Sequence, residues 1–274
     1  MAETRELKKI MKEPAVAFGG FAALLLQIAH PSVGRGVANH SDFAYRALDR
    51  ADNTGIYIYT MVFGTEEEKA AMRHWVNQAH VPVKGGSGAT AYSAKDPRLQ
   101  LWVAATIYVG MIGGYEMAYG PISPAIAERV YQEFSIMATS LQCPPEMWPK
   151  DRAAFRKYYN DVVENELVVL PEAKKVLYDL FKPKGLPIFL RPIFPIALYF
   201  AKCITIEQLP PQLRDGFGLN RTKTSKFSSN ASIAVFLAIN PIIPSFIRHA
   251  PKNYYMWKMR RMIKKKGLVK AVQA

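Results

Sequence analysis

Apolar residues recur along this chain at the three- and four-residue spacing of helices that bury one face. Residues 14–30 are apolar on most of their circumference, which predicts a buried helix with Pro14 near its first turn. Pro31 removes an N–H and kinks or restarts that helix. Val33 and Val37 follow, and Gly34 and Gly36 permit close approach of another backbone or a flat ligand. Residues 45–60 read as helix through Leu48, Ile56 and Ile58, ended by Phe63-Gly64. Thr65 with Glu68 forms a capping-box signature for a helix running through Met72, Val76 and His80. Pro82 and the glycines at 85, 86 and 88 close it into a loop. Asp96-Pro97 opens a helix over 99–119, and Ser123-Pro124 opens another through Val130, Phe134 and Met137. Residues 152–170 are predicted as one further helix. The pattern predicts an all-α fold: a single multi-helix globular domain over residues 1–250, then a basic C-terminal tail over 251–274.

Beyond Pro171 the character changes. Residues 188–206 are very apolar but are interrupted by Arg191 and Lys202 and by Pro187, Pro192 and Pro195. Residues 232–247 are similar, with Pro241 and Pro244. Neither is a clean run of about 18 apolar residues, so both read as buried or interfacial helices rather than membrane spans. Lys8, Lys9 and Lys12 before the apolar segment 15–29 imitate a secretory leader, yet no small-residue cleavage site precedes His30. The segment therefore reads as a buried first helix. The expected location is cytoplasmic, or peripheral to the cytosolic face of the ER or another membrane.

Half of the 274 residues are hydrophobic, enough for a sizeable core. The net charge of +14 favours anionic partners: nucleic acid, phospholipid headgroups or an anionic cofactor. No zinc-finger spacing, RNA-binding aromatic motif or basic recognition helix is present, so nucleic acid is set aside. From Lys252 onward there are eight Lys/Arg and no carboxylate, and residues 256–266 suit an anionic headgroup layer or plain solvent. Cys143 and Cys203 make neither a disulfide framework nor a cysteine zinc site.

Elimination narrows the chemistry. The residues three before the five histidines are Gln27, Val37, Ala71, Asn77 and Phe246, so no Glu-x-x-His di-iron motif exists. His-Glu-x-x-His, phosphate-loop and Gly-x-Ser-x-Gly motifs are also absent. His30 and His40, ten residues apart, would be separated by about 15 Å along a helix and cannot share one iron. His74 and His80 are about 240° apart around theirs. What remains is single imidazoles. A lone neutral histidine on a buried helix is one way to hold haem iron, and equally an ordinary hydrogen-bonded core residue. His74 beside Arg73 and His249 beside Arg248 read as surface residues.

A long motif goes further. It runs from Gly19-Gly20 through Leu24-Leu25-Leu26-Gln27 and His30-Pro31-x-Val33 to Gly36-Val37-Ala38-x-His40-Ser41-Asp42-Phe43. Phe63-Gly64-Thr65, His80-x-x-Val83-Lys84-Gly85, Tyr92-x-Ala94-x-Asp96-Pro97 and Leu101-Trp102-Val103 follow. Over residues 15–145 this resembles the catalytic domain shared by the ER-bound oxygenase MpaB and rubber oxygenase, the latex-clearing protein; Leu209-Pro210-x-x-Leu213-Arg214 adds to the likeness. The resemblance implies an all-α fold, a haem b held by one proximal histidine, and O2-dependent cleavage of isoprenoid double bonds. For the MpaB-like members it implies oxidation of a prenyl side chain at ER membranes. The expected function is a haem-dependent oxygenase acting with O2 on a hydrophobic substrate, isoprenoid or polyketide-like. The alternatives are a haem peroxidase-like enzyme and a non-enzymatic lipid- or membrane-binding helical protein.

Carried over residue by residue, Val76-x-x-x-His80-x-x-Val83-Lys84 matches the rubber oxygenase pattern around the iron ligand, with Lys84 in place of arginine. This makes His80 the implied axial ligand, with His30 as the alternative. Arg50-x-x-Asn53-Thr54 matches the distal Arg-x-x-Lys-Thr, with Asn53 replacing the lysine that can cap the iron. Arg50 and Thr54 are implied near bound O2 or a propionate, and Asn53 and Lys84 beside the cofactor. His30 and His40 are implied as pocket lining or proton donors. Pro82 ends the helix just after His80, and a helix C-terminus favours positive charge such as that of ferric iron.

Overall fold

The computed structural model describes residues 4–41, 43–182 and 191–268. Asp42, residues 183–190 with Pro187, and residues 269–274 lie outside the described residues. The order is α1 (Arg5–Met11), a 3-10 helix (Pro14–Gly19), α2 (Gly20–Ala29), α3 (Pro31–His40), α4 (Phe43–Phe63) and α5 (Glu66–His80). A two-stranded hairpin follows, β1 (Lys84–Gly85) and β2 (Tyr92–Ser93), antiparallel with Lys84 opposite Ser93. Then come α6 (Pro97–Tyr119), α7 (Pro124–Thr139), α8 (Arg152–Asn165), α9 (Pro171–Phe181), α10 (Phe194–Gln208), α11 (Pro211–Phe217), α12 (Lys223–Ile239), α13 (Ser245–Arg248) and α14 (Ala250–Lys266). The fold is all-α, one globular domain.

The central element is α6. Its N-cap Asp96 accepts the Arg98 N–H at 2.8 Å, Pro97 supplies the first helical φ, and Trp102, Ala105, Thr106 and Tyr108 are buried. The 3-10 helix and α2 lie across it at backbone contact. A Cβ on Gly110 would stand 2.6 Å from the Gly19 carbonyl oxygen, so glycine permits the approach. Trp102 Nε1 donates to Leu26 O at 3.2 Å, and Gln27 Nε2 to Thr106 Oγ1 at 3.0 Å. On its other side, Tyr108 packs against Tyr131, Phe134 and Phe155 and joins α6 to α7 and α8.

Three segments differ from the periodicity. The apolar run from Pro14 starts as a 3-10 helix and becomes α-helical only at Gly20. The helix expected over 152–170 ends at Asn165. The Val168 N–H donates to Ala29 O at 2.9 Å, which draws this stretch across the α2–α3 corner, and Pro171 starts α9 afresh. The apolar run over 232–247 is split: its first half ends α12, which begins at Lys223 and stops at Ile239 before Pro241 and Pro244, and its end enters α13. The basic segment after residue 250 is helical: α14 buries Met256, Met259 and Ile263 against α4 and α5.

Among the described residues no single helix is long and apolar enough to cross a membrane. Residues Pro14–Ala29 and Pro31–His40 pass that test only as a pair, bent by 103°. Leu25, Leu26 and Ile28 of this pair are buried in the core.

Candidate active site

His80 is the last residue of α5. At the helix start Thr65 Oγ1 accepts the Glu68 N–H at 3.2 Å, and Glu68 Oε2 accepts the Thr65 N–H at 2.9 Å, completing the capping box. At the end, the Val83 N–H closes on His80 O at 3.1 Å as the chain turns through Pro82. The His80 Nδ1 is buried and has no hydrogen-bond partner. Burial, helped by the positive charges of Arg50 and Lys95, pushes the ring's pKa below the ordinary histidine value. At neutral pH the imidazole is therefore neutral, with a lone pair available to a metal.

A chain of amides holds this end of α5. Asn77 Oδ1 accepts from Gln142 Nε2 at 2.7 Å, and Gln142 Oε1 accepts from Gln100 Nε2 at 2.6 Å. Gln100 Oε1 accepts the Gln142 N–H at 2.8 Å, and its amide also donates to Ala94 O at 2.8 Å. The chain ties α5 to α6 and to the turn after α7.

At about 100° per residue, α4 presents Arg50, Asn53, Thr54 and Tyr57 on one side and Asp52, Gly55 and Tyr59 on the other. The second side packs on α14: Asp52 pairs with Lys258, Gly55 lies against the Tyr255 ring, and Tyr59 stacks on that ring at 5.1 Å. The first side carries the Arg50 charge toward His80. Asn53 is half-buried and Thr54 exposed. Tyr57 OH donates to Met137 O at 3.2 Å and meets Ser140 Oγ, and burial pushes its pKa up to about 12, so it stays protonated.

His30 stands at the break between α2 and α3. Its Nε2 is 3.3 Å from Glu166 Oε2 and its Nδ1 is buried without a partner. Burial lowers its pKa, and the neighbouring Glu166 opposes that shift. Asp96 acts on His30 and the adjacent Lys95 on His80, so one turn lies within electrostatic range of both rings. His40 is exposed at the end of α3, with Nε2 3.2 Å from Tyr92 OH, which also accepts from Asn39 Nδ2 at 3.0 Å. Lys84 is exposed on β1. Thus the Arg50 charge is felt at His80, whereas His40, at the end of α3, turns to Tyr92 of the hairpin, and Lys84 lies on the hairpin itself. His249, read from sequence as a surface residue, is half-buried, with Nε2 3.6 Å from Glu13 Oε1. Sequence reasoning missed Asn77, Gln100, Gln142 and Glu166. A usable signal was Gln100, a polar amide set between Leu99 and Leu101.

Among the described residues no three His, Cys, Asp or Glu side chains converge on a common point. The family model of the ER-bound oxygenase MpaB/B' and rubber oxygenase catalytic domain matches residues 7–238. The chain belongs to this family. Its MpaB/rubber oxygenase domain is an oxygenase catalytic domain, which places the chain among the oxidoreductases. Two mycobacterial relatives, the uncharacterized proteins Rv2237 of Mycobacterium tuberculosis and Mb2261 of Mycobacterium bovis, are each 32% identical over 244 residues. The match covers 87% of this chain and 94% of each relative. No solved structure matches.

Proposed function

We propose that this MpaB/rubber oxygenase domain is a haem b-dependent oxygenase that acts with O2 on a hydrophobic isoprenoid or polyketide-like substrate, by oxidative cleavage of a C=C bond. The observation that carries this reading is the buried and unpartnered His80 Nδ1, on a ring kept neutral by burial and by the positive charges of Arg50 and Lys95. A haem needs a neutral imidazole for its iron and positive charge for its propionates, and this donor set fits both. When bound, the haem supplies O2 activation. His80 would hold it, with Arg50, Asn53 and Thr54 of α4 and Lys84 of the hairpin as the polar groups proposed around it. Asn77, through Gln142 and Gln100, keeps the end of α5 in place. The Tyr57 hydroxyl remains protonated, and His30 with Glu166 provides a second neutral imidazole able to hold or pass a proton. The proposed location is cytoplasmic, or peripheral to the cytosolic face of a membrane.

Absorption spectroscopy with iron analysis tests the reading on wild type, His80→Ala and His30→Ala. We expect a Soret band in wild type and in His30→Ala and its loss in folded His80→Ala. A folded His80→Ala protein with an unchanged Soret band and stoichiometric haem refutes the ligand assignment. Colourless, iron-free wild-type protein that still binds vesicles favours the non-enzymatic lipid-binding reading, for which the exposed apolar side chains of α10 and α12 speak.

A further inference from the structure

The charge of the chain is segregated. Residues 1–180 carry 19 Lys/Arg and 20 Asp/Glu, a net charge of −1. Residues 181–274 carry 17 Lys/Arg against only Glu207 and Asp215, a net charge of +15. The entire cationic excess therefore lies in the last third.

Among the described residues the same third holds most of the large apolar side chains left uncovered. Glu207 near the end of α10 pairs with Arg221 just before α12, and Tyr199 OH of α10 lies 3.1 Å from Ser228 Oγ of α12, so the two helices run antiparallel. The start of α10 thus lies beside the end of α12. Ile193 and Ile196 project at the former, and Ile239, Ile242 and Phe246 at the latter and the corner beyond it. Ile242 is 81% exposed and Phe246 71%. Between the helices opens an apolar cavity of about 440 Å³, floored by Phe18 and Phe21 and flanked by Phe200, Ile204 and Val235. Exposed Phe227 on α12 stands between exposed Lys223 and Lys226 on one side and the cavity residues on the other.

An uncovered apolar face of this kind marks a partner. A second copy is disfavoured, because it would bring two strongly cationic regions together. Nucleic acid would match the charge but leave the isoleucines and phenylalanines in water. An anionic bilayer satisfies both, with phosphates facing Lys/Arg and acyl chains receiving the apolar side chains.

We propose that the α10–α12 face docks on an anionic phospholipid bilayer, with Ile193, Ile196, Ile242 and Phe246 entering the acyl boundary and the cavity between the helices opening toward hydrocarbon chains. Docking gives a water-insoluble substrate a dry route onto the protein. The inference names the membrane partner of the proposed oxygenase, but its surface argument is independent of haem.

The test is flotation of the full chain with vesicles of phosphatidylcholine alone or mixed with phosphatidylglycerol. We expect binding to the mixed vesicles only, weakening as salt is raised. The double variant Ile242→Glu/Phe246→Glu should bind roughly tenfold or more weakly while keeping the wild-type circular dichroism melt, since both side chains are exposed. Lys223→Glu/Lys226→Glu should also bind more weakly and lose part of the salt dependence. Absence of flotation, equal binding to neutral vesicles, or wild-type binding by both double variants overturns the proposal. So does a concentration-dependent dimer in sedimentation that Ile242→Glu/Phe246→Glu abolishes. None of these outcomes bears on the Soret band, so this proposal and the His80 assignment fail separately.

Discussion

His80 couples the site to pH. Burial and the Arg50 and Lys95 charges hold its folded pKa below the value of about 6.5 for an unperturbed histidine. The unfolded chain therefore takes up the proton first as pH falls, and stability contributed by the neutral ring is lost below about pH 6.5, down to the folded pKa. Above about pH 6.5 this contribution is fully present. Urea midpoints measured from pH 7.5 to 5 should fall on acidification in wild type and fall less in His80→Gln; equal slopes in the two proteins would contradict the assignment. His30 has a lowered pKa too, but Glu166 beside it offsets part of the burial. At this scale the sequence disclosed which imidazoles were candidates, since His30 and His80 both stand in family-like motifs. It did not disclose Glu166, which lies 136 positions from His30 and meets it only through the path of the chain after α8.

Among the elements, the packing of α6 on the 3-10 helix depends on the absence of side chains. Gly110 and Gly114 face the backbone of residues 15–19, and a Cβ on Gly114 would stand 2.7 Å from Ala15 O. Gly110→Ala should therefore destabilise by about 1–3 kcal/mol, the usual cost of forcing a methyl into a filled contact, despite alanine's better helix propensity. Chemical denaturation would detect this as a lower midpoint at an unchanged slope. Element starts were readable where their causes are local. The Thr65–Glu68 capping box and the Asp96-Pro97 start act over three residues, and both appear as the pattern requires. The end of α8 was not readable. Its apolar spacing continues past Asn165, and a contact with Ala29 overrides it.

For the whole molecule, α14 is part of the body. Met259 is fully buried, Asp52 pairs with Lys258, and Glu68, already in the α5 capping box, accepts Arg260 Nε at 2.8 Å. Met259→Ala should cost about 2–5 kcal/mol of stability, as for other large-to-small core changes. A thermal melt indistinguishable from wild type would mean that the segment is only a solvated tail. This packing covers the side of α4 opposite Arg50, Asn53 and Thr54.

By itself the sequence determined the helical class, the starts of α5 to α8, the likeness of its motifs to an oxygenase family, and the surplus of positive charge. The class, the helix starts and the charge follow from caps, prolines, periodicity and composition, which act within a few residues or need no structure at all, whereas the family rests on the likeness of whole motifs. Only the tertiary structure decided that His80 keeps a buried nitrogen unpartnered while His40 turns to Tyr92, that Glu166 reaches His30, and that α10 and α12 leave an apolar face uncovered. Each of these depends on contacts between segments distant along the chain, where local spacing carries no information about which surfaces meet.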